Sequence, residues 1–352
     1  LFLGEKRIKM KLVKTEEAVG HVLCHDMTQI IPGVTKDARF RKGHIVVQED
    51  IPVLLSMGKE NLYVWEAGED MLHENEAAEI LCSFCLNDGM TRSGAKEGKI
   101  EILADTDGLL KVDRQLLYKV NAFGQMMIAT RHGNTAVHKG DKLAGTRIIP
   151  LVIEKEKMER LKKEIGTGRI LRILPFQKKK AVIITTGNEV LKGRIPDSFT
   201  PVVIEKLKEY DVTVIRHELS GDDSERVTAG ILSAICEQGA DMVICTGGMS
   251  VDPDDRTPLA IKNTGARIVS YGSPVLPGAM FMLAYYGERR IPVMGLPGCV
   301  MYAKRTVFDL VLPRIVADDP VTAQELATLG EGGLCLSCPV CTYPNCGFGK
   351  GW

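Results

Sequence analysis

Ala181-Val182-Ile183-Ile184-Thr185-Thr186-Gly187-Asn188-Glu189 is the stretch from which the rest of the chain is read. A continuous apolar run this short, ending at a threonine and a glycine, is the pattern of a strand buried on both faces that delivers a loop at its carboxyl end. Downstream the pattern alternates. A helix is expected over 201–210 and a strand over 212–215. The next helix spans 224–237, with Val227, Ile231, Leu232 and Ile235 on one face. A strand over 241–245 ends at Thr246-Gly247-Gly248, and a short helix opens near Pro258. A further strand covers 291–294, and a helix over 300–316 follows Leu296-Pro297-Gly298. Alternating strands and helices predict an α/β domain over 176–317, an open, mostly parallel sheet with helices on both faces. Ligands of such sheets bind outside the carboxyl ends of the strands, where these loops must lie.

Upstream, residues 1–175 read as a β-rich mixed region. Short β-like runs at 20–23, 44–47, 61–65, 100–103, 126–130 and 147–153 alternate with turn residues, and helical patterns interrupt at 51–57 and 74–85. The stretch 153–165 is dense in helix formers, and Met158, Leu161 and Ile165 lie on one stripe, which predicts an amphipathic linking helix. Residues 318–352 form a Gly-, Pro- and Cys-rich tail.

A length of 352 residues exceeds one ordinary core, which agrees with two or three domains. Lysine plus arginine equal aspartate plus glutamate, 45 each, so neither nucleic acid nor a membrane surface is an expected partner. No run approaches the ~20 apolar residues of a membrane helix. The first residues, Leu1-Phe2-Leu3-Gly4-Glu5-Lys6, lack the apolar core of a secretory signal, and Met10 is a candidate start. Six of the ten cysteines are scattered and four crowd into the tail, which points to the reducing cytoplasm.

Four loops carry candidate chemistry. In Thr186-Gly187-Asn188-Glu189 the glycine lets backbone amides approach an anion, and Glu189 offers a carboxylate. In Ser220-Gly221-Asp222-Asp223-Ser224, Asp223 is a natural helix N-cap, and Asp222 or Asp223 also suits the crevice. Thr246-Gly247-Gly248-Met249-Ser250 is followed by Asp252, Asp254 and Asp255. Clustered carboxylates repel one another unless a cation compensates, and oxygen ligands of this kind suit Mg²⁺. The fourth loop, Leu296-Pro297-Gly298-Cys299, opens a helix, where Cys299 is either a lowered-pKa thiol or an inert buried one. No Ser-His-Asp order, Walker loop or dinucleotide fingerprint is present.

The tail holds a separate constellation. Cys335, Cys338, Cys341 and Cys346 stand at metal-ligand spacing and are candidates for Zn²⁺ or an iron–sulfur cluster. Cys82 and Cys85 fall in a helical pattern and read as buried helix residues.

Taken together, Thr186-Gly187-Asn188-Glu189, Asp197-Ser198, Asp222-Asp223, Thr246-Gly247-Gly248-Met249-Ser250-Val251 and Leu296-Pro297-Gly298 resemble the molybdopterin-binding domain of molybdenum cofactor biosynthesis proteins. Molybdopterin molybdotransferases and molybdopterin adenylyltransferases share that domain, and the resemblance covers about 181–316. Residues 41–58 also look like a short β-rich module of the molybdotransferases. The resemblance implies molybdopterin, or adenylylated molybdopterin, as ligand, with molybdate and Mg²⁺ as co-reactants. It implies catalytic or metal roles for Glu189, Asp222, Asp223, Asp252, Asp254 and Asp255. Pterin contacts would come from Thr186, Gly187, Asp197, Ser198, Thr246, Gly247, Gly248, Ser250, Pro297 and Gly298. It further implies a homodimer working with molybdoenzymes or other cofactor-biosynthesis proteins. Alternatives are a non-catalytic carrier or sensor of the cofactor and an adenylyltransferase, whose pattern Asp255-Arg256-Thr257-Pro258 approaches. Two loops depart from the molybdotransferase pattern. Ala279 stands where that family has lysine, within Pro277-Gly278-Ala279-Met280, and Cys299-Val300 replaces Asn-Pro.

Overall fold

A computed structural model describes residues 10–31, 35–65, 70–250, 252–253 and 255–351. The chain divides into two compact units. One comprises 1–105, 112–131 and 140–172; the other comprises 106–111, 132–139 and 173–352.

The first unit is a set of small antiparallel sheets with helices. Asn61–Trp65 and Met126–Thr130 are strands at the expected bounds. Residues 20–23 and 44–47 make no strands, only isolated bridges from Val22 to Ile45 and from Leu23 to Val64. Gly20 and Gly43, both at positive φ, turn the chain beside the first bridge before a ladder can extend. The expected run 147–153 is split between two strands, Lys142–Ile148 and Val152–Glu154. The linking helix therefore begins at Lys155 and ends at Ile165, and it buries Met158, Leu161 and Ile165 as its periodicity predicts. Cys82 and Cys85 are buried, and burial pushes the Cys85 thiol up to about 12.

The second unit is built on one six-stranded sheet. Its strands are β1 (Lys180–Thr186), β2 (Thr213–Ser220), β3 (Met242–Thr246), β4 (Arg267–Tyr271), β5 (Met282–Tyr286) and β6 (Ile291–Leu296). They lie in the order β2-β1-β3-β6-β5-β4. The first four run parallel, whereas β5 and β4 are antiparallel additions. Its four longest helices are α1 (Phe199–Lys208), α2 (Ser224–Cys236), α3 (Thr257–Asn263) and α4 (Val307–Val316).

Strand β1 shows why the sheet is covered on both faces. Ala181 and Ile183 pack into the core shared with α1 and α4. Val182 and Ile184, on the opposite side of the pleat, pack with α2 and α3. All four are at most 1% exposed, so the strand has no solvated face and reads as an unbroken apolar run. Each buried valine or isoleucine contributes roughly 2 kcal/mol of hydrophobic stabilisation.

The helix expected over 300–316 is broken. A 3-10 turn, Gly298–Met301, is followed by an irregular stretch before α4 starts at Val307. The restart is a capping box. The Thr306 hydroxyl accepts from the Phe308 amide at 3.3 Å, and Asp309 accepts from the Thr306 amide at 2.7 Å. No described helix is long and apolar enough to cross a membrane.

Candidate functional site

In the order β2-β1-β3 the chain direction of assembly reverses between β1 and β3, which opens a crevice at their carboxyl ends. The loops after β1 and β3 therefore face each other across it. Their glycines are fixed by sterics. Gly247 sits at φ +82°, and a Cβ there would come within 2.4 Å of the Thr186 carbonyl oxygen. Gly248 is at φ +57°, where a Cβ would stand 2.7 Å from Thr257 Oγ1 and 3.0 Å from Thr186 Oγ1. Only glycine permits this approach. Threonine hydroxyls lock the two loops together. Thr186 Oγ1 donates to the Thr246 carbonyl at 3.2 Å, and Thr257 Oγ1 donates to the Gly247 carbonyl at 2.9 Å.

The result is a cavity of about 650 Å³. It brings together most of the residues singled out from sequence: Thr186, Gly187, Glu189, Asp197, Ser198, Asp222, Gly247, Gly248, Ser250, Asp252 and Asp255 all line it. Neither lysine nor arginine is among its described lining residues. The crevice is therefore acidic, and an anionic ligand needs a cation or backbone amides to be held there.

The carboxylates are not equivalent. Asp222 Oδ2 accepts from the Asn188 amide at 3.1 Å and ties the first two loops together. Asp255 Oδ2 accepts from the Ser250 amide at 2.9 Å, so one of its oxygens shapes its own loop. Ser250 Oγ in turn accepts from the Asp252 amide at 3.2 Å. Glu189 is exposed beside Gly187 and has no side-chain hydrogen bond or ion pair among the described residues. Asp197 is the most committed. It accepts from the amides of Phe199 and Thr200 at 2.8 and 3.1 Å and from the Thr200 hydroxyl at 2.5 Å. Burial pushes its carboxyl up, but the Thr200 hydroxyl, these two amides and His217 together hold it below the usual carboxylate range.

Beneath the crevice runs a polar chain that sequence reasoning passes over. Thr246 Oγ1 donates to Thr185 Oγ1 at 3.0 Å, and Thr185 and Thr200 both lie within 3.2 Å of His217 Nε2. His217 is 3.2 Å from Asp197 Oδ2. The histidine carries no motif; its partners come from two other segments, the end of β1 and the start of α1. Ile195, Pro196 and Met301 also line the cavity without any polar signal in sequence.

Other candidates lie elsewhere. Asp223 caps α2, accepting from the Glu225 amide at 2.9 Å. Thr246 is fully buried, with its hydroxyl turned into the threonine chain. Pro297 is buried and Gly298 exposed, and neither lines the cavity; Met301, from the turn they begin, does. Asp254 and Val251 lie outside the described residues. Burial raises the Cys299 thiol despite a backbone hydrogen bond that lowers it, which is the inert alternative. Among the described residues, no three His, Cys, Asp or Glu side chains converge tightly enough to hold a single metal ion. The donor chemistry of Glu189, Asp222 and Asp252 still fits Mg²⁺, which keeps most of its waters and takes one or two carboxylates beside a substrate phosphate.

The tail folds against the same unit. Leu276 and the tail exchange two backbone hydrogen bonds, Leu276 N to the Gly333 carbonyl and Cys335 N to the Leu276 carbonyl, both at 2.8 Å. Phe348 is buried in the main core.

Parts of the chain are similar to known proteins. Residues 182–317 match a family model described as "Probable molybdopterin binding domain", and residues 12–66 match a domain of unknown function. A protein named as competence-damage inducible in Bacillus velezensis is 37% identical over 89 residues, covering 25% of this chain and 21% of its own. A CinA-like protein of Fervidobacterium nodosum is 33% identical over 89 residues, with the same coverage. The matched stretch thus spans about a fifth of the length of these relatives. Among solved structures, a molybdopterin biosynthesis enzyme MoaB from a Thermus species is 20% identical, covering 40% of this chain and 98% of its own at a TM-score of 0.33. Residues 182–317 form a domain of the probable molybdopterin-binding family.

Proposed function

We propose that the crevice binds the phosphorylated side of molybdopterin and that the protein inserts molybdate into adenylylated molybdopterin, releasing AMP. The observation that supports this reading is the convergence of the β1 and β3 loops, whose glycine-permitted backbone and loop carboxylates line one cavity of about 650 Å³. Gly247 and Gly248 would present amides to the phosphate, since the Gly187 amide already donates to the Ser220 carbonyl at 3.1 Å, and Asp197 and Ser198 would border the pterin. Glu189, Asp222 and Asp252 would hold Mg²⁺, directly or through its waters. When bound, Mg²⁺ supplies the positive charge that lets a phosphate and an oxyanion share an acidic crevice. In this reading the protein works as a homodimer and passes its product to molybdoenzymes or their assembly partners. The test is direct. Purified protein given adenylylated molybdopterin, molybdate and Mg²⁺ releases AMP; no release beside an active control overturns the transferase reading.

A second reading has its own support. Ala279 occupies the position of the family's lysine, and no cationic side chain is among the described lining residues. A carrier or sensor of the cofactor needs less charge neutralisation than an enzyme does. Tight binding of molybdopterin without AMP release selects it, and no binding overturns both readings. Metal binding at the four tail cysteines, as zinc or iron–sulfur, belongs to the same proposal and is independent of the crevice.

A further inference from the structure

The tail cysteines share the wall of one cavity. Cys335, Cys338, Cys341 and Cys346 all line one cavity of about 600 Å³ between the tail and the stretch preceding α4. All four are free thiols. Cys335 and Cys346 are half-buried and pack against the main core, whereas Cys338 and Cys341 are exposed. The thiols come from a segment with no regular structure, so their convergence follows from how that segment is pinned. Cys335 is held by its backbone bond to Leu276. Lys304 Nζ donates to the Pro339 carbonyl at 3.0 Å, between Cys338 and Cys341. Tyr343 Oη donates to the Asp309 carbonyl at 3.0 Å, between Cys341 and Cys346. Each gap between successive cysteines beyond the first is thereby fixed to the stretch that precedes α4 or to α4 itself.

We infer that this cavity is the seat of a four-iron, four-sulfide cluster ligated by Cys335, Cys338, Cys341 and Cys346. The inference rests on the metal-binding reading of the tail and decides between its two forms. Zinc held by four thiolates at ~2.3 Å draws its sulfurs to within about 3.8 Å of one another. The four cysteines here line a cavity of about 600 Å³. A cubane cluster is a body with an iron at each ligated corner, so its thiolates surround a volume instead of a point, as these four do. The spacing argues the same way. Cys335, Cys338 and Cys341 repeat as C-x2-C-x2-C, the iron–sulfur run, whereas zinc modules pair their ligands in two separated knuckles.

The walls suit an anionic cluster. Such a core with four thiolates carries net negative charge, and Lys304 and Arg305 both line the cavity. Arg305 is already paired with Glu209 at 2.8 Å and Asp309 at 3.0 Å and stacks 5.0 Å from the Tyr343 ring centroid, so the compensating charge falls chiefly to Lys304. Tyr343 and Phe348 supply apolar surface on the buried side of the cavity.

The experiment uses the full chain, expressed with added iron and purified without oxygen, then assayed for iron, zinc and acid-labile sulfide. The expected result is about four irons and four sulfides per chain, with visible absorption that bleaches on dithionite reduction. Cys338→Ser and Cys341→Ser alter exposed thiols; each should lose most of the iron and sulfide while the far-ultraviolet circular dichroism stays unchanged. One zinc per chain without sulfide overturns the cluster and leaves the tail a metal site. No metal, even after reconstitution with ferrous iron and sulfide, overturns the cluster and the metal-binding reading together. Full iron and sulfide retained in both serine variants overturns the ligand assignment.

Discussion

The second unit holds two cavities of similar size that are built by opposite means. The crevice at the ends of β1 and β3 is shaped by backbone: glycines at positive φ, threonine hydroxyls on carbonyls, and carboxylates on amides. The cysteine cavity is shaped by side chains on an irregular segment, pinned by Lys304, Arg305 and Tyr343. The first is acidic and lacks lysine and arginine among its described lining residues; the second carries two cations. One continuous stretch joins them, because Met301 lines the crevice and Tyr302 lines the cysteine cavity. A backbone-built site fails when a glycine gains a side chain. A side-chain-built site fails when its anchors are cut.

The largest expected effect falls on the anchors. Lys206 Nζ donates to Asp309 Oδ1 at 2.6 Å, and both side chains are under a tenth exposed. Asp309 also accepts from Arg305 and caps α4. Asp309→Ala leaves Lys206 buried without its charge partner, and the expected loss of stability is about 3–5 kcal/mol. Urea unfolding measures it. A loss below about 1 kcal/mol would show that the buried Lys206–Asp309 pair adds little to the stability of the second unit.

Next comes the backbone of the crevice. Gly247→Val places a branched side chain against the Thr186 carbonyl at a φ that valine resists. Molybdopterin affinity should fall by roughly 100-fold, or about 2.7 kcal/mol. Iron bound at the tail should not change. Unaltered pterin titration would refute the backbone-built description of the crevice, whereas parallel loss of iron would show that the two sites are one.

How much of this contrast is legible in sequence follows from the same distinction. Strand β1 is readable because four consecutive buried residues leave no polar position, and the glycine loops are readable because positive φ restricts them to glycine. Strands β4 and β5 escape the pattern. Arg267–Tyr271 is an edge strand with an exposed start and end, and Met282–Tyr286 pairs antiparallel through a turn at Gly287 that lacks the parallel crossover signal. The break before α4 escapes too, since the apolar periodicity continues through a cap made by Thr306 and Asp309. His217 enters the site's support only through contacts with Thr185, Thr200 and Asp197, which no local pattern announces. The spacing of the tail cysteines announces a metal, but their shared cavity is a tertiary fact.

A smaller effect separates chemistry from scaffolding among the carboxylates. Glu189→Ala and Asp252→Ala remove loop side chains that pack little. Stability should stay within about 0.5 kcal/mol, while AMP release falls at least about tenfold. Thermal unfolding and turnover on the same preparations separate the two. Unfolding of either variant would assign it a structural role, which the structure gives instead to Asp255 through its bond to the Ser250 amide.

The smallest effect is also the one with a defined pH dependence. Asp197 is held below the usual carboxylate range, because hydroxyl and amide donors outweigh the burial that pushes it up. A depressed folded pKa means that the unfolded chain binds the proton more readily. The contribution of Asp197 is therefore complete above the ordinary aspartate pKa near 4, and it disappears as pH falls through the lower folded value. Its worth at neutral pH is about 1 kcal/mol or less, the scale of a helix-terminal carboxylate on first-turn amides in a partly solvated setting. Asp197→Ala should accordingly be less stable than the parent at pH 7, with the gap closing as pH drops below about 4. A gap that persisted unchanged into acid would mean that the contribution is packing, not charge, and would remove Asp197 from the polar chain that joins it to His217, Thr185 and Thr246.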